Sequence, residues 1–195
     1  MGDRISLILA GLALVFLIGV AYAGKTMPQR PPRSEYTLSV ESVAKDGAVE
    51  ARGTTNLPDG ARLAVIVDRL YRLKGTHLWR AARVGEGVAV VEGGRWSITI
   101  PVSDEEWVRE VQDRVNRKEI DPVAAVQGSL RTTVVFSPLI EQDPSVRSAL
   151  GPDGAGLAAS NAATRVGSYW IIRGDATAEM PLHLEYERAL LAGLR

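Results

Sequence analysis

The chain has 195 residues, and its 23 Lys and Arg are balanced by 23 Asp and Glu, so its formal net charge is zero. That length, less an apolar N-terminal stretch, fits one domain able to bury a core without staples, and the even balance, with no basic stripe, argues against a nucleic-acid partner. Cysteine is absent, which removes disulfides, thiolate catalysis, cysteine-type zinc sites and a lipid-bearing N-terminal cysteine.

Residues 5–23 form an uncharged apolar run. As a helix they span about 28 Å, close to the hydrocarbon thickness of a bilayer, and lipid leaves a helix as the way to satisfy their backbone. Leu7, Leu12, Leu14, Phe16, Leu17 and Val20 carry this anchor, so membrane lipid is the first expected partner. Ala21-Tyr22-Ala23 also matches a small-x-small cleavage site, the mark of a removable signal peptide. The stretch is longer than the usual signal core, so residues 1–24 are read as a retained transmembrane anchor, with the cleaved signal as the alternative. Lys25, Arg30 and Arg33 follow it and by themselves favour a cytoplasmic domain. The cleavage-like motif and a β-rich domain favour export, and an extracytoplasmic domain on a bacterial inner membrane is the expectation adopted. Residues 25–35, rich in proline, read as a semi-rigid linker.

Residues 36–195 read as one β-rich globular domain. Tyr36, Leu38 and Val40 alternate with polar residues, as do Val49 and Ala51, which predicts half-buried strands on either side of an Asp46-Gly47 turn. Asn56-Leu57-Pro58-Asp59-Gly60 marks a turn before a strand at 63–67. Two short strands follow at 78–84 and 88–91, with Gly85 and Gly87 in a turn between them. Glu92-Gly93-Gly94 predicts a tight hairpin into 95–100, where Trp96, Ile98 and Ile100 share the inner face. Ser103 and Glu106 form a capping box for a helix whose inner stripe is Trp107, Val108, Val111 and Val115. Glu110 with Arg114, and Asp113 with Arg117, are expected as i,i+4 pairs. A strand at 130–136, a short helix from Asp143-Pro144 to Leu150, an exposed loop at 155–164 and a strand at 169–173 come next. An amphipathic helix over 181–194, with Leu182, Tyr186, Leu190 and Leu194 on one stripe, ends the chain.

Residues 53–65, with their Asn-Leu-Pro-Asp-Gly turn, and Gly94-Arg95-Trp96 carry a partial resemblance. They resemble the second-to-third strand hairpin and a later Gly-x-Trp strand of immunoglobulin-like β-sandwich domains in exported bacterial proteins, over about residues 36–101. The resemblance implies an antiparallel sandwich that displays or binds. The expected fold is therefore mainly β with added helices: a transmembrane helix, then an immunoglobulin-like sandwich with inserted and C-terminal helices.

No motif for catalysis is present. A nucleophile elbow and a P-loop are both missing, and the two histidines, His77 and His183, are far apart in sequence. His183 and Glu187 are spaced to share a helical face but lack a third ligand. Asp104, Glu105 and Glu106 are expected to serve helix capping. Trp79, Trp96, Trp107 and Trp170 are expected in the core, with Tyr169 and Trp170 the candidate surface anchor. No catalytic residue, cofactor or metal is assigned. The expected function is a membrane-anchored, non-catalytic interaction protein, such as an accessory subunit of a larger, for example energy-transducing, membrane complex. Its partner would be another membrane or envelope protein. An exported ligand-binding or envelope protein is the alternative, and an enzyme comes third.

Overall fold

The computed structural model describes residues 35–192. The anchor assigned to residues 5–23, its cleavage motif, most of the linker and Leu194 lie outside them. Among the described residues no helix is long and apolar enough to cross a membrane.

The fold is mainly β, with two antiparallel sheets and three helices. Strands β1 (Glu41–Lys45), β2 (Ala48–Thr54) and β5 (Arg95–Pro101) form a small sheet in the order β1-β2-β5. Strands β3 (Arg62–Leu73), β4 (Trp79–Val90), β6 (Val123–Phe136), β7 (Ala163–Val166) and β8 (Tyr169–Glu179) form a large one in the order β4-β3-β6-β8-β7. Helix α1 (Glu105–Asn116) joins β5 to β6, α2 (Pro144–Leu150) precedes β7, and α3 (Leu184–Leu191) follows β8.

The period-two pattern sets which face is inside. In β5, Trp96 and Ile100 are buried and Ile98 half-buried, while Arg95, Ser97 and Thr99 face water. With Val49 and Ala51 of β2 they pack on Leu63, Val65, Val67, Leu130, Val134 and Phe136 of the large sheet. Strand β3 has 12 residues, about 40 Å of chain, and outruns the small sheet. Its far half is covered by helices instead. Trp107 of α1 stacks on Tyr71 at 5.6 Å between ring centroids, and Val111, Val115 and Leu190 converge on Val123.

Several elements differ from their sequence reading, and each difference is tertiary. Residues 78–91 hold one strand, not two. Gly85 and Gly87 lie inside β4, where a Cβ on Gly85 would stand 2.7 Å from Ile100 and one on Gly87 would stand 2.6 Å from Ile98. These glycines let β4 cross closely over β5; they are not a turn. The expected hairpin between β2 and β3 is a crossover between the sheets. Gly93 and Gly94 do turn the chain at positive φ, with Glu92 bridging Arg95, but the flanking strands enter different sheets. The alternation at Tyr36, Leu38 and Val40 holds, with a bridge from Leu38 to Thr55, though the ladder begins only at Glu41. Strands β6 and β8 are longer than the 130–136 and 169–173 spans expected, because β6 pairs with β3 back to Val123 and with β8 out to Glu179. Residues 155–164 are not an exposed loop: Leu157 and Ser160 are buried, and Ser160 Oγ donates to the Tyr36 carbonyl at 2.8 Å.

The capping box is not formed. Helix α1 has Asp104 at its N-cap, without a side-chain capping bond, because that carboxylate is engaged elsewhere. The expected i,i+4 pairs are not made either. Arg114 and Arg117 both turn to Glu119 beyond the helix end, and Arg109 pairs with Glu105. His183 is the N-cap of α3 and lies outside the helix, so it does not share a helical face with Glu187.

Candidate interaction surfaces

The two ends of the long β3–β4 hairpin define the molecule's axis. At one end, Asn56 Nδ2 donates to the Glu35 carbonyl at 2.8 Å, so the chain arriving from the N-terminal segment enters here. At the other, Lys74 N donates to the Pro122 carbonyl at 2.8 Å, which ties the tip of the hairpin to the start of β6.

Near the entering end lies a groove of about 730 Å³. Glu41, Arg52, Thr54 and Ser97 line it from the outer face of the small sheet, Val88 and Val90 from β4, with Trp96 and Gly53 beneath. Strands β4 and β5 are edge strands of different sheets, and both border this groove. Arg52 Nε meets Glu41 at 3.0 Å across the β1–β2 ladder. Trp96 Nε1 is buried without a hydrogen-bond partner among the described residues. Gly53 allows this packing, since a Cβ there would lie 1.9 Å from the Ser39 carbonyl oxygen and 2.8 Å from the Trp96 ring.

At the far tip, Leu78 is 78% and Trp79 43% exposed. Trp79 was expected in the core. It pairs instead with Arg72 across the ladder, and the Arg72 guanidinium sits 5.6 Å from the indole centroid. Lys74, His77 and Arg80 are exposed around them. No carboxylate occurs between Asp68 and Glu86, a signal the sequence held, in a stretch that the core expectation for Trp79 had absorbed.

Tyr169 and Trp170 open β8 at the entering end and are both half-buried. Trp170 packs on the core and its backbone N–H donates to the Asp153 carbonyl at 2.9 Å, whereas Tyr169 stands at the rim of the sheet opposite Val166. The structure does not bring this pair together with Leu78 and Trp79.

One polar cluster is interior. Arg69, fully buried, donates from Nε and Nη2 to the two Asp104 oxygens at 3.0 and 2.8 Å. Its Nη1 donates to the Gln127 and Met180 carbonyls, and Trp107 Nε1 donates to Asp104 at 2.7 Å. With its hydrogen bonds satisfied inside the protein, the cluster clamps α1 and the approach to α3 onto the large sheet. The outer face of that sheet carries ion pairs instead: Arg83 with Glu86, Arg131 with Asp68, Arg173 with Asp175. Partial burial pushes the Asp175 carboxyl up, but hydrogen bonds from Arg173 and Thr133 and the charges of Arg173 and Arg131 outweigh it, holding Asp175 below the usual carboxylate range. Among the described residues no group of His, Asp and Glu is placed to hold a metal ion.

Comparison with known proteins finds no matching family model, no matching curated protein and no matching solved structure.

Proposed function

We propose that the chain is a membrane-anchored, non-catalytic binding module on the extracytoplasmic face of a bacterial inner membrane, an accessory subunit that docks onto another membrane or envelope protein. The observation that carries this reading is the groove bordered by two edge strands. An edge strand offers backbone donors and acceptors to an incoming extended segment, and flanking side chains supply selectivity. Val88 and Val90 provide apolar contact, while Arg52, Glu41 and Ser97 provide polar contact. The immunoglobulin-like assignment belongs to the same reading. Strand order supports it: β1, β2 and β5 against β4, β3, β6 and β8 corresponds to strands A, B and E against C′, C, F and G of such a sandwich. Strand β7, the inserted α1 and the absence of an inter-sheet disulfide depart from that pattern.

Affinity copurification of the full chain from its own membranes in mild detergent tests the reading. Val90→Lys, on the exposed β4 edge, should sharply reduce recovery of the partner. Leu184→Lys, at a more exposed apolar side chain at the start of α3, should not. Equal recovery by both variants removes the groove from the interface. An intact mass lacking the first 23 residues would favour the alternative, an exported ligand-binding protein, for which a groove of about 730 Å³ also has a suitable size.

A further inference from the structure

The tip of the β3–β4 hairpin lies at the opposite end of β3 from the groove and plays no part in it. Leu78 and Trp79 project there as an adjacent apolar pair, 78% and 43% accessible. Around them Arg72, Lys74 and Arg80 form no ion pair among the described residues. Arg72 has only its contact with the Trp79 ring, and its buried Nε lacks a hydrogen-bond partner. Between Asp68 and Glu86 the chain carries cations and no carboxylate. Of the other cations there, Arg69 is paired with Asp104 and Arg83 with Glu86, which leaves Arg72, Lys74 and Arg80 at the tip as three cations in no ion pair among the described residues, against the single carboxylate Asp121 that precedes the Pro122 carbonyl met by Lys74 N.

We infer that this tip is a second membrane contact, a wedge that seats Leu78 and Trp79 among the headgroups and upper acyl chains of an anionic bilayer. An indole with an apolar body and one N–H donor suits the interface between headgroups and acyl chains. Arginine and lysine beside it keep their charge at the phosphates while their stems lie along apolar surface. The partner is lipid because the apolar payload is two side chains on a narrow hairpin. A standard protein interface needs about 800 Å² from each side, which a finger of this width does not offer. The inference rests on the anchored reading only in that the N-terminal segment would hold a bilayer within reach, turning a weak wedge into an effective second contact. With the chain entering at one end of β3 and the wedge at the other, the domain would lie along the membrane with its groove held close to the surface.

The test uses the full chain reconstituted into vesicles of phosphatidylcholine, with or without a third phosphatidylglycerol, in which the acyl chains are brominated. Bromine quenches only tryptophans that reach the acyl region. Trp96 and Trp107 are buried in the domain and Trp170 is half-buried against the core, and the difference between the native chain and Trp79→Phe isolates Trp79 from all three. The expected result is a Trp79-dependent quenching, the part that Trp79→Phe removes, about twofold or more greater with phosphatidylglycerol than without, and lost on raising salt or in the triple variant Arg72→Glu, Lys74→Glu, Arg80→Glu. Carbonate extraction of the same vesicles reports on the anchor separately. Release by carbonate with Trp79 quenching intact overturns the anchor and leaves the wedge standing. Retention with equal quenching in the native chain and Trp79→Phe overturns the wedge. A photoreactive side chain at position 78 that labels a protein and no lipid in native membranes also overturns it, in favour of an acidic protein partner.

Discussion

Arg69 is a charge where the strand pattern calls for an apolar side chain, and it is accommodated because its donors find partners. Removing one partner of such a pair leaves an uncompensated buried charge, whereas replacing both with apolar groups does not. Asp104→Ala is therefore expected to lower unfolding free energy by about 3 to 5 kcal/mol, while the double variant Arg69→Met, Asp104→Leu recovers much of that loss. Urea titration of both variants checks the difference, and equal losses would show that the clamp acts by shape alone. Gly53 makes a simpler case at the same scale. A methyl group 1.9 Å from the Ser39 carbonyl oxygen cannot be placed without moving backbone, so Gly53→Ala should destabilise by about 1 to 3 kcal/mol. Gly47, whose Cβ position meets nothing within 4 Å, lies at positive φ, so a loss at Gly47→Ala would report backbone strain and not crowding.

At the scale of elements, the large sheet divides its faces by charge. The inner face is apolar apart from Arg69 and Thr132, whose hydroxyl meets that of Ser42 at 2.8 Å, and the outer face is laced with ion pairs. Asp175 lies in that lacing with its carboxyl held below its ordinary value of 3.8. A folded-state value below the unfolded one contributes stability that is present above the unfolded value and lost as pH falls through the folded one. Stability should thus decline below about pH 4 partly through Asp175. In Asp175→Asn the acid limb of a stability–pH profile should be shallower, with a lower plateau near neutrality. A profile parallel to the native one would show that the Arg173 and Thr133 contacts are spent on solvent exchange. Helix α1 shows the same competition. Asp104 leaves the capping role for a tertiary partner, Arg69, whereas the terminal arginines leave their i,i+4 pairs for Glu119, close by in the chain just past the helix end.

For the whole molecule, membrane attachment is the property on which the proposed function depends, and the sequence reading assigns it to the apolar run at residues 5–23. Leu14→Arg at the middle of that run should cost about 2.5 to 3.5 kcal/mol on insertion, and carbonate-resistant association should fall accordingly. A native chain that washes off in carbonate would show the segment to be removed or unused. The domain has two distinct ends: the chain enters beside Asn56, next to the groove, and the Leu78–Trp79 tip lies about 40 Å away along β3.

The sequence by itself determined what repeats locally. Alternation assigns Trp96, Ile98 and Ile100 to one face of β5, and it does so because a strand turns each successive side chain to the opposite side whatever the partner. The same rule marks the inner stripe of α1 and the turn glycines at Gly60, Gly93 and Gly94, whose positive φ only glycine takes readily. Tertiary structure alone decided which strands pair, since turn chemistry at Asn56-Gly60 or Gly93-Gly94 reverses the chain without saying whether the next strand joins the same sheet. It decided that Gly85 and Gly87 are points of close crossing, because their role depends on Ile98 and Ile100 arriving from another sheet. It also separated Trp79 from the three tryptophans that pack inward. An indole on a strand is core or surface according to what covers that end of the sheet, and here the helices cover the inner face beneath Tyr71 and leave Trp79 bare.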